Sequence, residues 1–411
     1  MRRELDEHMP KEGDTIAQKK EAFRGMRAAV LAKAEEFFLQ FGTFTCECHR
    51  PMQDGTSCFV APAAALACPL PAIDNGAWWA SKAIRESHGQ SVHINLASTM
   101  CSGWSPAGTR LGEAHDSERS HCLWLGERRA RALQGLEEMY FHENRPEYPV
   151  ELLQASPLRS THVVLSVVID PRCYGEPMTR LRRFSFGYVF DRFVYVGSGN
   201  AQEEFDALFG RTLTATGDAY LGTVSELVEE YKDIAKRNHM YLSDGDVDAS
   251  FDMMSMLTAE QKSRMRAWKE QAAQSDNIDD VWFADIKDWP RGSTPKKTMP
   301  TFLKSSLIYS STRQGLVSTR EAMRCHGFRS GIDSGDPCAD WLDIAFSKFK
   351  VYERQALVGS SLHAPLYAAW LFFCLSNLVE RKVEDPQCFP SENDFFESDD
   401  SGGACDTCDR E

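Results

Sequence analysis

The pattern that most constrains the fold of this chain is an alternation of strand-like stretches with helical ones. Residues 91–99 alternate apolar and polar side chains, residues 160–170 form a longer valine-rich run, and residues 182–190 and 192–199 follow the same strand pattern. A helix is predicted between the first two of them, across residues 121–140. Strands that alternate with helices predict an α/β sheet with helices packed on its faces.

Other segments frame this predicted sheet. Apolar residues three and four apart indicate that residues 1–40 are largely helical, and a second apolar helix is predicted at residues 364–381. Residues 42–75 are rich in cysteine, proline and alanine and are predicted to be irregular. From Glu384 onward the chain carries ten acidic residues against one basic residue, so this tail is predicted to be disordered.

Composition excludes some classes of protein and leaves nucleic-acid binding open. The longest apolar run, Leu366–Leu378, is shorter than the ~18 residues of a membrane span, and the N-terminus has no secretory signal pattern. We therefore expect an intracellular protein without a membrane partner, whose 13 cysteines are reduced thiols. The net charge is −14, but the acidic tail contributes −9 of it, so charge does not exclude a polyanionic partner.

A candidate nucleophile follows the first predicted strand. Cys101 lies in the turn-rich segment MCSGWSPAGTR directly after residues 91–99. Loops at strand ends hold ligands in open α/β sheets, and a cysteine in an electropositive loop can attack as its thiolate. A buried cysteine in a plain turn is the alternative interpretation of this residue taken alone.

Three further segments carry polar groups beside predicted elements. Glu143 and Asn144 lie in FHENRPEY, and the alternation of Arg180 and Arg182 in GEPMTRLRRFSFG places both on one face of a strand, where they could meet a phosphate or carboxylate. The segment STREAMRCHGF is the third, and it is considered together with a later segment in which a Gly-Ser-Ser turn opens a helix. Taken singly, each segment also fits a solvated loop, a charged edge strand or plain packing.

In their order along the chain, these segments resemble the motifs of the cytosine-C5 methyltransferase family. That family has PCQ-x-[FW]-S-x-x-G-x-R, ENV, G-x-P-Q-x-R-x-R-x-F, L-T-x-R-E-A-x-R-L-Q-G-F, and a Gln before G-N-[AS] and a nearby Pro. The matching residues are Cys101, Trp104, Ser105, Gly108 and Arg110; Glu143 and Asn144; Gly175, Pro177, Arg180, Arg182 and Phe184; Arg320, Glu321, Ala322, Arg324, Gly327 and Phe328; and Gln355, Gly359, Ser361 and Pro365.

The resemblance implies a fold and a division of the chain. The fold is α/β, with the Rossmann-like sheet of an S-adenosylmethionine-dependent methyltransferase, whose first βα units are not found, and a smaller target-recognition lobe. The implied parts are an N-terminal helix and Cys-rich segment at 1–90, a catalytic lobe at 91–190, a target-recognition region at 191–310, the C-terminal part of the catalytic lobe at 311–383 and the acidic tail at 384–411.

The resemblance also implies an activity. A methyl group would pass from S-adenosyl-L-methionine to C5 of a flipped-out cytosine in DNA through a covalent Cys101 adduct at C6. Glu143 would hold the N3 and N4 edge of the base, and Arg180 and Arg182 would steady the base and the nucleophile loop. The implied substrate-binding residues are Ser105, Arg110 and Asn144; the implied cofactor-binding residues are Gly359, Ser360 and Ser361; and the candidate phosphate contacts are Lys287, Arg291, Lys296, Lys297 and Lys304. Such a substrate requires a nuclear or other DNA-containing compartment.

The chain departs from the family in its cofactor motif. No glycine-rich loop of the form F-x-G-x-G-G precedes Cys101, and the strand–GSG–helix pattern at 192–209 follows the arginine motif, which is the wrong place in family order. Substitutions within the motifs are Met100 for Pro, Ser102 for Gln, Arg145 for Val, Met178 for Gln and Ser360 for Asn. Two alternatives therefore stay open: a catalytically inactive methyltransferase-like nucleic-acid-binding protein, and an RNA cytosine-C5 methyltransferase.

Cysteine spacing gives a weak indication of metal. Cys46, Cys48, His49 and Cys58 form C-x-C-H-x8-C, but the paired C-x-x-C of common zinc sites is absent there. Cys405 and Cys408 form one C-x-x-C pair on the acidic tail. We therefore predict unligated thiols and no metal.

Overall fold

The structure is a computed structural model. It describes residues 11, 13–41, 92, 94–98, 104, 112, 115, 118–154, 157–223, 227–240, 253–274, 281–287, 295–328 and 344–381. Several predicted features lie outside these residues: Cys101, Ser105 and Arg110, the cysteine-rich segment with Cys46, Cys48, His49 and Cys58, the residue Arg291, and the acidic tail.

Within the described residues, the secondary structure follows the predicted alternation. The helices are α1 (Ile16–Phe41), α2 (Glu118–Leu133), α3 (Glu151–Gln154), α4 (Ala201–Phe209), α5 (Val228–Arg237), α6 (Ala259–Ala273), α7 (Thr319–Cys325), α8 (Val351–Ser360) and α9 (Ala364–Ser376). The strands are β1 (Ile94–Ser98), β2 (Met139–Asn144), β3 (His162–Ile169), β4 (Arg182–Val189), β5 (Phe193–Tyr195), β6 (Phe283–Asp285), β7 (Ile308–Ser310), β8 (Gly315–Leu316) and β9 (Leu378–Glu380).

The chain divides into two compact units. The first comprises Met1–Val168, Arg182–Glu204 and Phe373–Ser391, and the second comprises Ile169–Leu181, Phe205–Phe372 and Glu392–Glu411. The five-part division by role given above stays a prediction.

The first unit is built on a mixed sheet with strand order β1-β2-β4-β3. β1 and β2 run parallel, with α2 between them in the chain, and β4 runs antiparallel to β2. α1 contacts α2, and Leu31 of α1 joins Trp124, Leu125 and Tyr140 in one apolar cluster. This sheet with its packed helices confirms the α/β prediction.

Close packing inside this sheet explains one glycine of the arginine motif. Gly187 on β4 lies opposite Tyr140 on β2, and a Cβ atom on Gly187 would lie 2.1 Å from Cε1 of the tyrosine ring. No real Cβ atom fits at that distance. The glycine therefore lets a fully buried aromatic ring cross the neighbouring strand.

The second unit contains an antiparallel sheet of order β6-β7-β8. Its core gathers the methionine-rich stretch Met253–Met256 with Met265 and Trp268 of α6 and with Trp282 beside β6. α6 begins at a capping box, in which Thr258 and Gln261 satisfy each other's backbone amides. The second unit thus has an apolar core of its own.

One described segment is long and apolar enough to cross a membrane, which the sequence analysis did not expect. It runs from Val351 to Ser376 and contains α8 and α9. The core helix of a soluble protein passes the same test, and Val358, Trp370 and Cys374 of this segment are buried within the protein. The segment alone is therefore weak evidence for a membrane span.

Candidate functional site

The first unit places Glu143 beside the strand that leads to the predicted nucleophile. Glu143 is next to last in β2, and Ser98, the last residue of β1, is its partner in the parallel register. Cys101 follows Ser98 by three residues in the chain. Both strands thus end at the same edge of the sheet, where open α/β sheets hold their ligands.

Both oxygens of the Glu143 carboxylate are bonded. Oε1 lies 2.9 Å from Nε of Arg182, the first residue of β4, and Oε2 accepts a hydrogen bond from Oγ of Ser98 at 2.5 Å. Glu143 and Arg182 are 5% and 8% exposed, so this ion pair is buried. A paired, hydrogen-bonded carboxylate at a strand edge is a group that could hold the polar edge of a planar ligand.

The other residues of these two motifs have structural partners. Oδ1 of Asn144, which was predicted to bind substrate, accepts the backbone N–H of Arg145 at 2.8 Å. Arg183 donates to the backbone oxygen of Pro146 at 3.1 Å through Nη2, and burial lowers the pKa of this guanidinium. Asn144 and Arg183 therefore shape the turn after β2.

Trp104 is the described residue of the predicted nucleophile motif. Its ring meets Tyr148 edge-on with centroids 5.7 Å apart, and Oη of Tyr148 lies 2.9 Å from Nε2 of His121 on α2. His142 packs against the same tyrosine, and burial holds the pKa of its imidazole well below the usual value, so it is neutral. The tryptophan of this motif is thus anchored on a buried aromatic cluster beside β2.

Three of the four described cysteines are buried thiols that are poor candidates for a nucleophile, and the fourth, Cys173, is half-buried. The four are Cys122, Cys173, Cys325 and Cys374, and all are free thiols. Burial raises the pKa of the Cys325 and Cys374 thiols well above the ordinary value, which suppresses their thiolate form. Cys122 is 1% exposed and is closed to a substrate.

Arg180 belongs to the second unit and precedes the strand. β4 begins at Arg182, so the prediction that both arginines alternate on one face of a strand is wrong. Nη2 of Arg180 instead donates to the backbone oxygen of Ser361, between α8 and α9. His363 lies nearby, and its burial, together with the Arg180 charge, lowers the pKa of this imidazole to about 4. The arginine motif thus meets the last predicted motif within this unit.

Two of the three residues predicted to bind cofactor, Gly359 and Ser361, are engaged by the chain itself, and the third, Ser360, is exposed. A Cβ atom on Gly359 would lie 2.5 Å from the backbone carbon of Leu303 and the backbone nitrogen of Lys304. Oγ of Ser361 donates to the backbone oxygen of Val358 at 2.7 Å. The close approach of α8 to another segment therefore accounts for Gly359.

The fourth predicted motif has a structural role. Glu321 is fully buried and caps α7 with Ser318, while its carboxylate accepts the backbone N–H of Gly222 at 2.6 Å and lies 2.5 Å from Nη1 of Arg313. Gly327 has φ +80°, and a Cβ atom there would lie 2.1 Å from Cδ of Pro365. This motif therefore packs against the last one and fixes it in place.

The strand–GSG–helix pattern forms a turn that is bonded by its own chain. Gly199 has φ +102°, and the following α4 begins at Ala201. The carboxylate of Glu204 accepts the backbone N–H of Ser198 and, at 2.6 Å, the hydroxyl of Tyr195. An acidic side chain thus occupies the turn where an anionic ligand would bind a helix N-terminus.

Two other predictions concern metal and phosphate. The described residues hold no group of three or more His, Cys, Asp or Glu side chains that could bind a metal, and the predicted cysteine cluster lies outside them. Lys287, Lys296 and Lys304 are exposed in the second unit, and Lys297 is half-buried. Their role as phosphate contacts stays a prediction.

Comparison with known proteins gives neighbours among solved structures alone. No family model matches the chain, and no curated protein matches it. A Spodoptera frugiperda DNMT2 mutant is 11% identical with a TM-score of 0.35, covering 72% of this chain and 82% of that one. The methyltransferase EhMeth of Entamoeba histolytica is 11% identical with a TM-score of 0.36, and the S. pombe Dnmt2 methyltransferase is 12% identical with a TM-score of 0.39; each covers 72% of this chain and 80% of its own.

The chain resembles cytosine-C5 methyltransferases. The neighbours are methyltransferases, as the order of the sequence motifs anticipates.

Three residues that bond the side chains or backbone of these motifs were not predicted from the sequence. Ser98 bonds Glu143, Arg313 pairs with Glu321, and Glu230 accepts the backbone N–H of Thr319 at the start of α7. Each of the three residues bonds a partner at least eight residues away in the chain. The partners of Ser98 and Glu230 lie much farther away along the chain than that. The position of Ser98 at the end of the strand before Cys101 was the one signal in the sequence that could have indicated it.

Proposed function

We propose that this chain transfers a methyl group from S-adenosyl-L-methionine to C5 of cytosine in DNA, with Cys101 as the nucleophile. The observation that supports this proposal is the position of the Glu143 carboxylate. It is bonded by Arg182 and by Ser98, and Ser98 ends the strand that precedes Cys101 in the chain. Consecutive Cα atoms lie about 3.8 Å apart, so covalent geometry keeps the Cα of Cys101 within about 11 Å of that of Ser98.

The first chemical step is an addition to the ring. The Cys101 thiolate forms a bond to C6 of the cytosine, the C5–C6 double-bond electrons form a C4–C5 double bond as the C4–N3 double-bond electrons move onto N3, and N3 takes a proton from solvent. Glu143 holds the N3 and N4 edge at which that proton and charge change, so it favours the addition. Arg182 stabilises Glu143 in its buried position by pairing with it.

The last step reverses the addition. A solvent base takes the hydrogen from the methylated C5, the electron pair re-forms the C5–C6 bond, N3 loses its proton and the Cys101 thiolate leaves. When bound, S-adenosyl-L-methionine supplies an electrophilic sulfonium methyl group. Of the residues predicted to bind it, Gly359 and Ser361 are engaged in packing and Ser360 is exposed, and no step is assigned to them.

That packing favours a second candidate function. A chain that keeps the Glu143–Arg182 pair but binds no cofactor would be a catalytically inactive, methyltransferase-like protein that binds nucleic acid. The two candidates share the site and differ in one property, which is binding of the methyl donor.

The test is transfer of labelled methyl from S-adenosyl-L-methionine to cytosine, measured on duplex DNA and in parallel on RNA. We expect wild-type protein to label DNA, Cys101→Ser to abolish labelling, and the matched control Cys173→Ser to retain it, because Cys173 is a half-buried thiol of the other unit. Labelling that persists in Cys101→Ser would contradict the nucleophile assignment. Labelling of RNA alone would replace the substrate, and a folded protein that binds DNA without binding the cofactor in calorimetry would support the second candidate.

A further inference from the structure

Ser98 occupies a place that no motif of the resemblance covers. It is the last residue of β1, it lies opposite Glu143 in the parallel register, and its residue surface is exposed. Cys101 follows it by three residues. Ser98 is thus the described residue that joins the nucleophile strand to the glutamate.

The hydroxyl of Ser98 completes the bonding of the carboxylate. Oγ donates to Oε2 of Glu143 at 2.5 Å, while Nε of Arg182 lies 2.9 Å from Oε1. The two donors come from different strands, β1 and β4, on either side of β2 in the sheet. Each oxygen therefore has a donor that is fixed by backbone pairing.

Two donors are needed to fix the plane of this carboxylate. The terminal torsion of a glutamate side chain is broad and roughly two-fold, so a contact at one oxygen leaves the carboxylate free to rotate about that contact. Nε of Arg182 lies 2.9 Å from Oε1, and the bond from Ser98 to Oε2 opposes rotation of the carboxylate about that contact.

We propose that Ser98 is a positioning residue that orients the Glu143 carboxylate toward the cytosine base. This inference rests on the function proposed above. Each carboxylate oxygen has two lone pairs, so Oε2 can keep its bond to Ser98 and still accept the N4 amino group of the base. Because Cys101 follows Ser98 by three residues in the chain, the hydroxyl also ties the orientation of the glutamate to the strand that precedes the proposed nucleophile.

The test compares Ser98→Ala with Ser98→Thr, which keeps a hydroxyl, and with Ser376→Ala, an exposed serine at the end of α9, as the matched control. We expect Ser98→Ala to lower kcat for DNA methylation about threefold to tenfold, which is the loss expected for one hydrogen bond, with KM for DNA changed less than twofold. The threonine variant should restore kcat, and the control should equal wild type. Since Ser98 is exposed, all three variants are expected to fold, which circular dichroism checks.

A second readout does not depend on activity. The side-chain carboxyl carbon of Glu143 is observed by NMR in the free, full-length protein, and we expect its resonance to move in Ser98→Ala and to return in Ser98→Thr. A resonance and a kcat that are both unchanged in folded Ser98→Ala would overturn the proposal, as would a threonine variant that behaves like alanine. Failure of the proposed function is seen separately, as a wild-type protein that transfers no methyl group while the resonance still responds to Ser98.

Discussion

At the scale of single residues, the central feature of the candidate site is the buried ion pair of Glu143 and Arg182. Glu143 and Arg182 are both nearly inaccessible, and removal of one partner leaves the other as an uncompensated buried charge. Such a loss costs far more than the breaking of an exposed pair, in which water replaces the missing partner.

We expect Arg182→Met to reduce the free energy of unfolding by about 3 to 5 kcal/mol, which is typical when one partner of a buried pair is removed. The matched control is Arg237→Met, which breaks the more exposed pair with Asp233 in α5 and should cost about 0.5 kcal/mol or less. Urea denaturation measures both. The pair would not be the stabilising contact described here if the two variants lost the same amount.

Buried histidines of the first unit should make its stability depend on pH. Burial lowers the pKa of His162 to about 3, against 6.5 for an ordinary imidazole. The unfolded chain therefore binds the proton more readily, so the stabilising contribution of the neutral form is complete above pH 6.5 and is lost as the pH falls toward 3. Glu137 and Glu230, whose pKa values burial raises to about 7, act oppositely, since their contribution is lost as the pH rises from about 4.5 to 7.

We expect His162→Gln to be less sensitive to acid than wild type. Between pH 7 and pH 4.5, the wild type should lose on the order of 2 kcal/mol of unfolding free energy because of this histidine. The variant should not show this loss. Urea midpoints at the two pH values measure this difference. His239→Asn, at an exposed position with φ +60°, is the control and should follow the wild-type curve.

At the scale of elements, the sequence predicted the helices and strands that have a clear apolar pattern. It did not predict the contacts that depend on how the strands pair. α1, β3, β4 and α9 follow clear apolar patterns and lie close to their predicted positions. β2 was not predicted as a strand, because it is buried along its whole length and shows no two-residue alternation. Its last carboxylate, Glu143, was identified by resemblance, but its partners on β1 and β4 depend on strand pairing that no local pattern specifies.

The glycine of the last motif gives a test at this scale. In an open helix, Gly359→Ala would stabilise the protein by about 0.5 to 1 kcal/mol, since alanine is the better helix former. Here the added Cβ would meet the backbone of Leu303 and Lys304, so overpacking, which costs about 1 to 3 kcal/mol, should outweigh that gain. We therefore expect a lower Tm for the variant without any ligand; a higher Tm would contradict the packing role and return Gly359 to the predicted cofactor site.

At the scale of the whole molecule, the predicted site residues fall in two units. The first unit has a mixed α/β sheet with Glu143 at the edge next to β1, and the second unit holds the packed later motifs and exposed lysines. The order of motifs did not predict that Arg180 and most of the later motifs lie in a different unit from Glu143, and the engagement of Gly359 and Ser361 in packing also required the three-dimensional contacts. Nucleophilic addition and methyl donation are thus best tested separately.

The most direct measurement is exchange of the cytosine C5 hydrogen with solvent deuterium, in duplex DNA incubated with the protein and no cofactor. Addition of Cys101 at C6 makes C5 basic, so it takes a deuteron; loss of the original hydrogen and expulsion of the thiolate then return a deuterated base. We predict deuterium exchange at C5 with the wild-type protein, no exchange with Cys101→Ser, and a greatly reduced rate of exchange with Glu143→Gln. Absence of exchange with folded wild-type protein that binds the duplex, or equal exchange in all three proteins, would contradict it.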